Sequence, residues 1–464
     1  MILNDAIHAQ LTRRNFLKVG GLSLASSLLH SQAPASNSTP GVKITHQINP
    51  ITKHPSALVL VVLQGGASGF DSFDPRVGMV DANIKGPFKE VETSVKGVYF
   101  TELLEELGTH MKDELLVVRN LFHNDAAHDT ATGRILTGSA EKKNTDFYAD
   151  SLYPSPFIER AEEIFRSGQE KKVGYVVLHY SQGSLSSSGN ENSPDTSPYS
   201  GVHSKYERTI YTPYQSGKFT SPFGDGFKEN ELDDKDPRIS RKRYEERTEL
   251  LRAFEKGVQI HGPNVKRFTN VREMADSLLT GKFSKAFELE QEPEVIREQY
   301  GCSNVIGSQF LLARRFIEAG AETVTVGFGD FDNHSKSYEN GKRLFPPLSK
   351  GVSALLEDCK QRGLNVSVAI ITEFSRTPMM NNNGGRDHWT NAIPAVFGGS
   401  RVKALGANGS VIGRVKNDGT IIGPALDATK LGETIFNFQG YERQIVRNGA
   451  LSNEVEPFLP IVKR

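Results

Sequence analysis

Two short runs of β-branched and leucine side chains constrain this chain most: ALVLVVL at 57–63 and VSVAII at 366–371. Neither alternates apolar with polar residues. Such runs read as strands buried on both faces, and strands of that kind sit inside parallel sheets covered by helices. Each run ends abruptly. Gln64, Gly65 and Gly66 follow the first, and Thr372, Glu373 and the polar stretch to Thr390 follow the second. Open α/β sheets bind their ligands at the carboxyl ends of their strands, so the residues after these breaks are the first candidates for function.

Further strands are expected at 115–118, 175–179, 322–328 and 393–397. The 3.6-residue period predicts helices at 99–107, 241–256, 271–287, 305–319 and 346–362, and a capped helix without evident chemistry within 427–441. A fold of alternating strands and helices follows, of class α/β with a mostly parallel sheet. From 184 to about 240 the chain is rich in Ser, Asn, Pro, Tyr and Gly without helical period, which predicts a long surface excursion. The insertion as a whole extends to about 285. With 464 residues the chain is long enough for one large domain with an insertion.

The front of the chain reads as an address. Arg13 and Arg14 precede Asn15-Phe16-Leu17-Lys18 and a mildly apolar run at 19–29, and Ala33-Pro34-Ala35 offers a cleavage site. This pattern resembles a twin-arginine signal over residues 1–35, with the twin-arginine translocase as partner during export and a periplasmic or otherwise extracytoplasmic destination. A surface amphipathic helix is the competing reading. Residues 36–54 are expected to form a linker, and 55–464 a single domain. No later run approaches the roughly 18 consecutive apolar residues of a membrane span, so no transmembrane helix is expected in the mature form. Lys plus Arg and Asp plus Glu balance at 55 each, which gives no reason to expect nucleic acid as a partner. Cys302 and Cys359 are isolated and fit neither a disulfide framework nor a zinc finger, and they read as small buried residues.

Hard oxygen and imidazole donors recur after the strands. Asp71 follows the first. His123, Asp125, His128 and Asp129 follow the second, just before a run at 131–136 that opens a helix. Asp330, Asp332 and His334 follow the strand at 322–328, Glu373 the strand at 366–371, and Asp387 with His388 the loop beyond. Mixed carboxylates and imidazoles suit zinc, manganese, iron and similar divalent ions. The competing readings are local: Asx caps in the glycine-rich turn around Asp71 and Asp74, an N-cap at Asp129 or Thr130, and an Arg376–Glu373 pair. Arg386 has the planar fork that suits phosphate, sulfate or carboxylate oxygens.

The run FELEQEPEVIREQYG, followed by FLLARRFIEAGAETVTV, FDNH, ALLEDCKQRGL, TEFSRTP and GRDHWT, and preceded by GGASGFDSFDP, resembles the exported bacterial family known as domain of unknown function 1501. That family in turn resembles the sulfatase and alkaline-phosphatase superfamily. The resemblance implies an alkaline-phosphatase/sulfatase-like three-layer sandwich holding a divalent metal ion, here zinc, manganese, calcium or magnesium. The metal ligands it implies fall on Asp71, Asp332, His334, Glu373, Asp387 and His388. In sulfatases a Cys or Ser nucleophile stands ten residues before the glycine of a Leu-Thr-Gly stretch; counting back from Gly138 reaches His128, with Thr130 close by. The expected function is an exported, metal-dependent hydrolase-like protein acting on an anionic small-molecule or envelope substrate such as a phosphate or sulfate ester. In it His128, Thr130 and Arg386 would carry the catalysis. The alternative is a non-catalytic envelope binding or assembly protein that kept the fold.

Overall fold

The apolar runs pair with one another. A computed structural model of the chain describes residues 44–81, 83–111, 114–138, 155–166, 174–180, 209–215, 218–219, 249, 282–404, 410–447 and 450–452. Ala57–Leu63 lies between Val366–Ile371 and Thr323–Phe328, parallel to both, with Val61 opposite Ile370 on one side and Val326 on the other. Tyr175–Tyr180 continues the parallel set beyond Thr323–Phe328. On the other side Ile393–Gly399 runs antiparallel to Val366–Ile371 and to Leu115–Phe122, so Leu115–Phe122 points the same way as the parallel strands.

Side-chain alternation builds two cores from this one sheet. Val59, Val61 and Leu63 enter one core and Leu58, Leu60 and Val62 the other, and all six are buried. Each such side chain contributes about 1.5–3 kcal/mol by leaving water. On the first face Val305–Ala319 and Ser337–Gln361 supply Leu311, Phe316, Leu348 and Leu355. On the second, His128–Thr137, Pro156–Arg166 and Leu431–Gln439 supply Ile135, Phe157 and Phe436. The result is a three-layer α/β sandwich around a mostly parallel sheet.

Several expectations are corrected. The stretch expected to be one helix at 99–107 is a strand at Tyr99–Thr101, a 3-10 turn at Glu102–Leu104 and a helix at Glu105–His110. Phe100, Leu104 and Leu107 are buried at a spacing that a continuous helix would share. The helix expected from 346 begins at Ser337 and carries Pro346 and Pro347 inside it. Within the expected linker, Ile44–Pro50 is a strand paired antiparallel with Tyr441–Arg447. Within the expected excursion, Thr209–Gln215 joins the central sheet parallel to Tyr175–Tyr180. The signal segment and the helix expected at 241–256, apart from helical Glu249, lie outside the described residues; of 271–287, Lys282–Ala286 is helical. Cys302 and Cys359 are free, the second buried and the first partly so. Among the described residues no helix is long and apolar enough to cross a membrane.

Candidate metal centre

The parallel strands deliver their carboxyl ends to one edge of the sheet, and the antiparallel Ile393–Gly399 begins there. The loops from Leu63, Phe122, Phe328 and Ile371, with the hairpin that precedes Ile393, therefore meet. Gly65 makes one close approach. Its φ of +107° turns the chain, and a Cβ there would stand 2.4 Å from the Asp332 backbone nitrogen. Gly385 is more closely confined still, since a Cβ would stand 2.0 Å from the carbonyl carbon of His334. Glycine is the residue that permits such contacts.

Three ligand-type atoms converge at this edge. His334 Nε2 lies 3.0 Å from His388 Nε2 and 3.1 Å from Asp332 Oδ1, and His388 Nε2 lies 3.2 Å from the same oxygen. The other nitrogens of both rings are engaged behind. His388 Nδ1 is 2.7 Å from the Ala126 carbonyl, which can only accept, and His334 Nδ1 is 2.8 Å from Asp387 Oδ1. With each ring proton on Nδ1, both Nε2 atoms present lone pairs to one another and to a carboxylate oxygen. A proton or a cation must lie among them. Adjacent ligands of an ion with bonds of about 2.1 Å have separations of this size, so the residues present fit a divalent ion. His128 is close by, with its ligand atom and those of Asp332 and His388 within 4.8 Å of one another.

Arg376 steadies Asp332. Its Nη2 donates to Asp332 Oδ1 at 2.6 Å and also to the Gly65 carbonyl, while Nε and Nη1 bond the carbonyls of Gly66 and Arg386. Burial alone would raise the Asp332 carboxyl, but His128, His388 and Arg376 outweigh it and hold the group far below the usual carboxylate range. Asp387 is also lowered, by His334 first and then by Asn381.

His128 opens the helix His128–Thr137, whose N-cap is Ala127 and has no side-chain cap, so positions 129 and 130, the expected caps, fall inside the helix. His128 Nδ1 lies 2.7 Å from Glu373 Oε1, and Nε2 lies 3.4 Å from Asp332 Oδ2. Burial works against its charged form, yet the bonds to Asp332 and Glu373 outweigh this and raise the ring to about 9. Phe374 walls the site, with ring centroids 4.8 Å from His128 and 4.5 Å from His388.

The structure thus brings Asp332, His334, His388 and His128 together, and it places the other expected residues differently. Asp387 touches His334 from behind, and Glu373 does the same for His128. Thr130 lies in the first turn of the helix, its hydroxyl 3.5 Å from the Ala127 carbonyl. Asp71, expected among the ligands, is buried in a two-pronged pair with Arg386. Arg386, expected to clamp an anion, directs all five N–H groups within the protein: two to Asp71, one each to the carbonyls of Thr377, Pro378 and Ile84. Arg376 bonds Asp332 where a pair with Glu373 was the competing reading.

The sequence reading passed over Ala126, whose carbonyl orients His388, and for this no local signal exists. Asn381 was signalled by the Asn-rich loop: its side chain donates to the His334 carbonyl and Asp387 and accepts from the Gly385 N–H. His123 is buried with its ring lowered by that burial; Nδ1 accepts the Asp125 N–H at 3.0 Å, which leaves Nε2 to donate to the Glu373 carbonyl at 2.6 Å.

Fold and site together define an α/β sandwich protein with a histidine–carboxylate cluster at the carboxyl edge of its sheet. The chain belongs to the family described as Protein of unknown function (DUF1501), whose model matches residues 55–422. No curated protein matches it. Similar solved structures include the C-terminal periplasmic domain of EcEptC from Escherichia coli in complex with Zn, at 11% identity and a TM-score of 0.39, covering 85% of each chain. The lipoteichoic acid synthase LtaP from Listeria monocytogenes is similar at 11% identity and a TM-score of 0.34, covering 83% of this chain and 72% of that one. The phosphonate monoester hydrolase SpPMH from Silicibacter pomeroyi is similar at 9% and 0.32, covering 84% and 74%. Likenesses this low add nothing to the account of the site.

Proposed function

We propose that the chain is an exported hydrolase of phosphate or sulfate esters, or of a related anionic group, working with one divalent ion held by Asp332, His334 and His388. The observation that carries this reading is the convergence of three lone-pair atoms within 3.0–3.2 Å, with both imidazoles oriented from behind by Ala126 and Asp387. A bound divalent ion supplies charge stabilisation and a water acidic enough to react near neutrality.

The chain's own groups supply the rest. His128, held in its acid form by two carboxylates, serves as general acid toward the leaving oxygen. The start of its helix, where Ala127 supplies no side-chain cap, turns a positive dipole end toward an anion. Phe374 shields the two rings from water on one side. The ester substrate class rests on the resemblance of the motifs, and export rests on the paired Arg13 and Arg14.

The test uses the purified full chain with aryl phosphate and aryl sulfate, with and without added zinc or manganese. Ion-dependent turnover lost in both His128→Ala and His388→Ala is the expected result. A bound ion with no turnover on either ester favours a second reading, a binding or assembly protein of the envelope. Two observations lean toward that reading: a histidine stands at the helix start in place of a hydroxyl or thiol, and Arg386 has no N–H left for an anion.

A further inference from the structure

We infer that Glu373 does not bind the ion and instead positions His128, fixing which ring nitrogen faces the reacting space. Glu373 is fully buried at the carboxyl end of Val366–Ile371. Its Oε1 already accepts two short bonds, from the Gly65 N–H at 2.7 Å and from His128 Nδ1 at 2.7 Å. Its backbone is held as well, because His123 Nε2 donates to its carbonyl at 2.6 Å. A carboxylate fixed from these sides is a rigid stop for an imidazole.

The consequence for His128 is directional. Its Nδ1–H points at Glu373, a residue 245 positions away in the chain, so Nε2 must point out of the pair. That atom is buried and faces Asp332 Oδ2 at 3.4 Å, beside the three converging ligand atoms. A carboxylate behind one ring nitrogen fixes the ring's orientation and aims the other nitrogen at its target. The Phe374 ring, 4.8 Å from the imidazole, restrains its tilt. Gly65 gives the arrangement its economy, since its amide secures Glu373 while its backbone abuts Asp332.

The kinetic arm of the test rests on the hydrolase reading, and the other two arms do not. The full chain and its Glu373→Gln variant, which keeps the shape and the acceptor oxygen, are loaded with zinc. Zinc per chain is measured, the His128 imidazole is followed by nitrogen-15 NMR, and kcat and KM are recorded against pH. The expected result is unchanged zinc content, shifted His128 ring-nitrogen signals, and kcat lower by about 10–100-fold with KM nearly unchanged. Glu373→Asp, which keeps the charge and shortens the reach, should again retain zinc and alter the ring, and it serves if Glu373→Gln does not fold. Loss of zinc from these variants, as from His388→Ala, overturns the inference, as does an unchanged His128 ring. If the unmodified chain turns over neither ester, zinc content and the NMR signals still decide the role of Glu373, and the hydrolase reading alone fails.

Discussion

Arg386 grips Asp71 through two parallel bonds, Nε to Oδ2 at 2.8 Å and Nη2 to Oδ1 at 3.0 Å, with both side chains out of solvent. The pair joins the turn after the first core strand to the loop that carries His388. Removing one partner would strand a buried charge. Asp71→Ala should therefore cost about 3–5 kcal/mol of stability in urea unfolding and leave the zinc content of the folded fraction unchanged. An unaltered unfolding midpoint, or loss of zinc from folded protein, would contradict this assignment.

Gly65→Ala should damage the site through the backbone. A φ of +107° disfavours any L side chain, and the new methyl would press on the Asp332 nitrogen from 2.4 Å. Calorimetric titration with zinc should show affinity at least about tenfold weaker than in the unmodified chain, since orienting contacts around ligands are worth about 10–100-fold. Unchanged affinity would mean that the turn is not what places Asp332.

The ion-free protein should lose stability as pH rises. His128 has a folded value of about 9 against an ordinary 6.5, because bonds to Asp332 and Glu373 outweigh its burial. Its proton therefore favours the folded state. That contribution is complete below about pH 6.5 and disappears as pH rises through about 9. Thermal melts in chelator from pH 6 to 10 should show the gap in Tm between the unmodified chain and His128→Gln narrowing toward the alkaline end. A constant gap would contradict the pairing.

Export should depend on the front of the chain. Replacing both Arg13 and Arg14 by lysine should leave the protein in the cytoplasmic fraction and uncleaved, as read by fractionation and mass. Unimpaired export of that variant would remove the twin-arginine reading.

The strands at 57–63 and 366–371 were legible because burial on both faces leaves a mostly apolar run, broken here only by Ser367, that few other arrangements produce. Their polar ends were legible for the same reason, and Asp332, His334, His388 and His128 do meet at one edge. Side-chain direction was not legible. Glu373 stands where a ligand was expected, yet its carboxylate faces His128 and the Gly65 amide, a choice set by the turn at Gly65 some 308 residues earlier in the chain. Asp71 and Arg386 were each read singly, and nothing local reveals that they face each other across 315 positions. At 99–107 the apolar spacing fits one helix and equally fits a strand, a 3-10 turn and a short helix that bury the same Phe100, Leu104 and Leu107.

Metal analysis of the full chain, purified after zinc-replete expression, addresses the central claim most directly. One divalent ion per chain is expected, lost in His334→Ala and in His388→Ala and retained in Asp71→Ala. A chain that carries no ion under these conditions, or that keeps it in both histidine variants, would contradict the site built from Asp332, His334 and His388.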